Sequence, residues 1–201
     1  MRAVDVIFVS LVGMSWTIDM NIFYLDQDPK TAAQYHLDKH VVKMIVEYAQ
    51  LMSTAHRLLD GTQYIDKSKN NRNIKRWKLH DEREQKLYHA VSWNHPSAVW
   101  VREDLSHYQW LWNLASELCQ EYRYRYGGTN DKQHKTSLVI QNLSFAPNNI
   151  PRNGLFSEPP QAMPEDVKVP GNAIAAYKNY YIHYKKSFAK WKVRGVPTWY
   201  K

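Results

Sequence analysis

Residues 36–47 read HLDKHVVKMIVE, and at helical spacing His36, His40, Lys43 and Glu47 fall on one stripe that continues to Gln50 and Thr54. Imidazoles and a carboxylate move protons, and a primary amine attacks electrophiles once it is unprotonated. The same His36/His40 pair has the HxxxH spacing that can grip zinc from one helical turn, with His95 or His134 as a third ligand. The general-base glutamate of the zinc-protease pattern is missing, because Leu37 stands in its place. Nine histidines give many chance pairs, so no metal and no other cofactor is expected.

The element that carries the stripe explains why it is narrow. Asp28 followed by Pro29 predicts a helix start, and the helix runs to about Leu59 before Asp60-Gly61 stops it. Leu37, Val41, Met44, Ile45, Tyr48, Met52, Ala55 and Leu59 form one apolar face. Val42, Val46 and Ala49 form a second. A polar stripe held between two apolar surfaces fits a central helix lining a cleft better than a helix facing solvent.

A second long helix is expected over residues 93–128, opened by Pro96 and closed by Gly127 and Gly128. Asn94, His95 and Arg102 gather near its start, where backbone N–H groups favour an anion such as phosphate. Residues 66–86 hold eight Lys/Arg and one tryptophan and read as an exposed loop able to touch phosphates. A short helix or strand leads into a Pro/Asn-rich crossing near residues 145–170, and a third long helix spans about Gly171–Lys190. The last 24 residues contain seven Lys/Arg and seven aromatics, and no acid follows Asp166. Positive and aromatic side chains in alternation hold a nucleic-acid backbone and stack on bases. Lys190, Lys192, Arg194, Trp199, Tyr200 and Lys201 are the candidates there.

Three long helices with little strand signal predict a compact all-α domain over residues 20–201. A chain of 201 residues buries roughly 70% of its unfolded surface as one domain. The single cysteine, Cys119, cannot form an internal disulfide and fits a reducing, cytoplasmic setting. A net charge of +8 points to a polyanionic partner. The apolar run from Val6 to Trp16 is too short to span a bilayer and lacks a convincing cleavage site. Residues 1–19 are read as an optional or mis-called extension ahead of a second possible start at Met20. Neither a membrane nor an obligate protein partner is expected.

Several stretches resemble the pyrimidine-dimer DNA glycosylase family, the bacteriophage dimer-cutting endonuclease V type, and its phage and bacterial relatives. LDKHVVKMIVEYAQ is similar to the first-helix pattern of the relatives. NHPSAVWVREDLSHYQWLWNLASELCQEYRYRYG resembles their Asn-His-Pro…Trp…Tyr…Cys-x-Glu block. PPQAMPED and the terminal PTWYK resemble the phage enzyme's late Pro-Gln stretch and its end. The likeness covers most of residues 20–201, with the motifs in the same order.

The resemblance implies a helical DNA-repair glycosylase that cleaves the base–sugar bond at ultraviolet photoproducts in double-stranded DNA and then nicks by β-elimination. Such chemistry needs an unprotonated amine to form an imine at the deoxyribose C1′, and a carboxylate to stabilise positive charge and move protons. Family members use the N-terminal amine, whereas here the register sets Lys43 near their first-helix glutamate and Glu47 one turn later. Lys43, His40 and His36 are therefore expected to form a basic cleft with Glu47 as carboxylate, and Lys39 to serve as a reserve nucleophile. On the resemblance alone, Gln161 lines the cleft. Two other readings share the fold: a DNA-binding protein without catalysis, and a phage enzyme that modifies nucleotides or bases.

Overall fold

The computed structural model describes residues 20–201; residues 1–19, read above as an extension, lie outside them. Asp28 caps α1 (Pro29–Tyr35), accepting a hydrogen bond from the Thr31 N–H at 2.9 Å. The helix then stops short of the expected length. His36 and Leu37 are extended, and α2 (Asp38–Asp60) begins afresh. The buried His36 ring holds this break together. Its Nδ1–H donates to the Ala32 carbonyl at 2.7 Å, and its Nε2 lies 3.2 Å from the Tyr48 hydroxyl.

At the far end of α2 the chain turns outward at Gly61, where a Cβ would stand 2.5 Å from the Arg57 carbonyl oxygen. Residues 62–78 then form β1 (Thr62–Lys67) and β2 (Asn73–Lys78), an antiparallel hairpin pairing Thr62 with Lys78 and Lys67 with Asn73. Asn71 takes the left-handed conformation in its turn. This corrects both the loop expected over 66–86 and the all-α fold class. Among the described residues there are seven α-helices and a two-stranded antiparallel sheet, in place of three long helices.

After the four-residue α3 (Arg83–Lys86), the expected second helix is also two helices, α4 (Pro96–Glu103) and α5 (Leu105–Tyr126). Asp104 separates them. One of its carboxylate oxygens caps α5 at Ser106 N–H, 2.8 Å, and the other accepts from the backbone of Asn153 at 2.8 Å. A short α6 (Ser137–Asn142) precedes the irregular crossing, and α7 (Ala173–Tyr184) is shorter than the 171–190 expected.

The periodic apolar face of α2 does form the core: Leu37, Val41, Met44, Ile45, Tyr48, Met52 and Ala55 have no exposed surface. They meet Leu111, Leu114 and Leu118 of α5 and Tyr177 and Tyr181 of α7 in one cluster. Each large apolar side chain so buried contributes about 1.5–3 kcal/mol. Cys119 is a buried free thiol. No helix among the described residues is long and apolar enough to cross a membrane.

Candidate functional site

Lys43 and Glu47 stand one turn apart on α2, with Nζ 2.9 Å from Oε1. A third of the lysine side chain is exposed and only 8% of the glutamate's is, so the pair sits at the margin of the core with the amine outward. One turn earlier, His40 is 5% exposed. Its Nδ1 lies 2.7 Å from the Tyr181 hydroxyl and its ring lies 4.3 Å from that of Phe23. Burial pushes the His40 pKa well below the ordinary histidine range, and the nearby His36, Lys185 and Lys43 push the same way. At neutral pH the ring is therefore uncharged.

His36, expected on the same stripe, is instead in the break before α2 and has no exposed surface. Tyr48 accepts from the Phe23 N–H at 3.0 Å and directs its own proton to His36 Nε2. Both ring nitrogens of His36 are thus used inside the protein, and it braces the site rather than facing substrate. Among the described residues no group of three or more His, Cys, Asp or Glu is arranged to hold a metal. Lys39 is exposed, with its ammonium 4.7 Å from the centre of the Phe188 ring.

One cavity, of about 580 Å³, is lined by His95, Pro160, Gln161, Met163, Lys168 and Tyr180 among others. Tyr180 joins it to α2, because its ring lies parallel to that of Phe23 at 6.3 Å and Phe23 lies on His40. The sequence reading missed Phe23, Tyr180 and Tyr181. The signal for Tyr180 and Tyr181 was the tyrosine spacing in YKNYYIHY, which looks like ordinary core until the fold brings α7 onto α2. On the other side of Lys43, Val42 and Val46 line a larger cavity of about 790 Å³ with Tyr88, His89, Tyr122 and His134. Of the second apolar surface of α2, Val42 and Val46 thus line open space, whereas Ala49 is buried in the core.

Of the residues expected to hold phosphate, His95 and Arg102 have other work. Asn94 is exposed. His95 Nδ1 accepts from the Ser97 N–H and so caps α4. Arg102 donates to the carbonyls of Trp93 and Ala98, both at 2.7 Å. Gln161 lines the cavity, yet both ends of its amide bind the backbone of Val169 and close the 161–169 turn.

The tail is docked, not splayed. Asp38 N–H donates to the Lys190 carbonyl, and the Lys192 N–H donates to the Asp38 carboxylate at 2.8 and 2.9 Å. Lys192 Nζ lies over the ring of Tyr126. Arg194 makes a two-pronged ion pair with Glu121 and lies over Tyr124. Trp199 packs between Tyr35 and Tyr181, at 5.7 and 6.1 Å, and Tyr200 meets Trp191 edge-on at 4.8 Å. Lys201 remains exposed. The space between His40 and Trp199 is filled by Tyr181, so α2 and the chain end are joined through a buried ring.

Comparison with known protein families, characterised proteins and solved structures found no match to this chain.

Proposed function

We propose that this protein is a DNA glycosylase with AP-lyase activity, acting on damaged or modified pyrimidines in duplex DNA. The observation that carries the proposal is the 2.9 Å contact between Lys43 Nζ and Glu47 Oε1, with the amine towards solvent and the carboxylate held at the core's edge. The motif likeness quoted above and the net charge of +8 support the same reading.

In the proposed reaction Glu47 takes a proton from Lys43 along that contact. The freed amine forms a bond to C1′, the glycosidic bond breaks, and the base leaves with the electron pair and takes the proton from Glu47, which becomes a carboxylate again. As the sugar ring opens, one proton moves from the attacking nitrogen to the ring oxygen, leaving a protonated imine whose positive charge the Glu47 carboxylate stabilises. Removal of a C2′ proton then expels the 3′ phosphate, and hydrolysis of the imine returns the lysine. The cavity beside Tyr180 is where a flipped-out base would sit.

A DNA-binding protein without catalysis is the second reading. It is favoured by the closeness of the same ion pair, in which the carboxylate engages the amine that must react.

The test is borohydride reduction in the presence of abasic duplex, together with nicking of irradiated, abasic and undamaged duplex. The proposal expects a covalent adduct that disappears in Lys43→Ala and persists in Lys39→Ala. An adduct that survives removal of both lysines excludes a lysine nucleophile. Salt-sensitive duplex binding with no adduct and no nicking establishes the non-catalytic reading.

A further inference from the structure

A strongly charged surface lies away from this site, on the hairpin. Residues 62–78 carry Lys67, Lys69, Arg72, Lys75, Arg76 and Lys78 against a single acid, Asp66, which is itself 3.8 Å from Arg76. We infer that this hairpin is a nucleic-acid-binding arm, a two-stranded ribbon that enters a groove of duplex DNA and grips the phosphates on either side. The inference rests on duplex DNA being the substrate, and adds a second element that holds it.

The distribution of charge selects the partner. In an antiparallel pair, residues opposite one another share a face. Ile65 with Lys75 and Lys67 with Asn73 lie on one face, whereas Tyr64 with Arg76 and Thr62 with Lys78 lie on the other. Lys69 and Arg72 sit in the turn. Five of the six cations are exposed, as are Tyr64 at 40% and Ile65 at 57%. A flat anionic surface such as a bilayer would use one face only. Cations on both faces and at the tip match a partner with negative walls on two sides. The major groove, about 12 Å wide, admits a two-stranded ribbon, and six-residue strands reach about 20 Å along it.

The arm is also built to transmit force to the body of the protein. A lone hairpin is marginally stable in water, so its base must be held. Trp77 is nearly buried and meets Trp93 edge-on at 5.0 Å. Arg57, 1% exposed, donates to the Trp77 carbonyl at 2.8 Å, to Glu84, and to the carbonyls of Tyr88 and Leu87. The strands beyond that base are largely exposed.

The experiment measures binding of an undamaged duplex of about 20 base pairs by fluorescence anisotropy between roughly 50 and 200 mM salt. It uses the full chain, the quadruple variant K67A/K69A/R72A/K75A, and the charge-keeping variant K67R/K69R/K75R. Loss of four phosphate contacts should flatten the slope of log affinity against log salt by about 3 to 4 and weaken binding at ~100 mM salt at least tenfold. The arginine variant should bind as the parent does. Lysines on exposed strands also block edge-to-edge association. If that is their whole role, the quadruple variant self-associates but keeps the parent's salt slope, and the inference falls. It falls equally if the parent binds phosphatidylserine vesicles and not duplex. Borohydride trapping at saturating abasic duplex separates this from the proposed function. A quadruple variant that binds weakly and still forms the adduct supports both. A lost salt slope with no adduct from any form keeps the arm and removes the glycosylase.

Discussion

Asp38 and Arg125, 87 residues apart, form an ion pair of 2.9 Å that ties the first turn of α2 to the last turn of α5. Arg125 has no exposed side-chain surface and also binds Glu121 at 2.7 Å and the Gln34 carbonyl at 2.9 Å. Glu121 in turn holds Arg194, and Asp38 holds the Lys192 backbone. One acid–base chain thus fastens the tail to three helices. Arg125→Ala would leave Asp38 and Glu121 partly buried without their shared cation, at a cost of about 3–5 kcal/mol. Urea unfolding checks this. A loss below about 1 kcal/mol would show that the network contributes only surface electrostatics.

Arg194 belongs to this network, so its removal should act on stability and not on DNA. Arg194→Ala is expected to lower Tm by several degrees and to leave the salt slope of duplex binding unchanged. A slope reduced by about 1 would instead identify a phosphate contact.

Lys43→Arg keeps a cation beside Glu47 but supplies no nucleophilic amine. Nicking of abasic duplex should fall by about a hundredfold or more, while duplex affinity stays within about twofold. Equal losses in both would make Lys43 a binding residue only.

Tyr181→Phe removes the hydroxyl partner of the buried His40. The expected cost is about 1–3 kcal/mol, since a polar ring nitrogen loses its hydrogen bond out of reach of water. A neutral result would mean that His40 finds another partner.

Stability should fall as the solution is acidified from pH 7 to pH 5. Burial pushes the pKa of His36 down to about 4, with Arg125 adding to the effect, and burial followed by the nearby Arg83 does the same for His56. The hydrogen bonds agree, for Arg83 donates to His56 Nδ1 and the opposite nitrogen meets the Tyr108 hydroxyl. Above about pH 6.5 both rings are neutral folded or unfolded, and their contribution is complete. Below it the unfolded chain binds protons that the native rings refuse. Each histidine then costs about 1.4 kcal/mol per pH unit until its folded pKa is reached. Together they should remove about 4 kcal/mol between pH 7 and pH 5. Denaturant midpoints at the two pH values test this, and a flat profile would contradict neutral burial.

Much of the helical frame was legible because its causes are local. Asp28 and Pro29 start α1 by their own chemistry, and the three-and-four spacing of Val41, Met44, Ile45, Tyr48 and Met52 marks the buried face without reference to any partner. The break at His36 was not legible, because it depends on Ala32 and on Tyr48 twelve residues away. The hairpin was hidden for a similar reason. Its strands are mostly exposed and rich in lysine, so they lack a clear alternation, and their base is held by Trp93 and Arg57.

By itself the sequence determined where the core faces lie, that Lys43 and Glu47 share one side of a helix, and that cations outnumber acids. Local spacing and composition suffice for those. Only the tertiary structure decided which charges are spent inside the protein. Arg57, Arg125 and Arg194 look like surface cations in the sequence, yet each is bound to carbonyls or carboxylates brought from elsewhere in the chain. A guanidinium leaves water only where several fixed acceptors meet it, and folding alone assembles those acceptors.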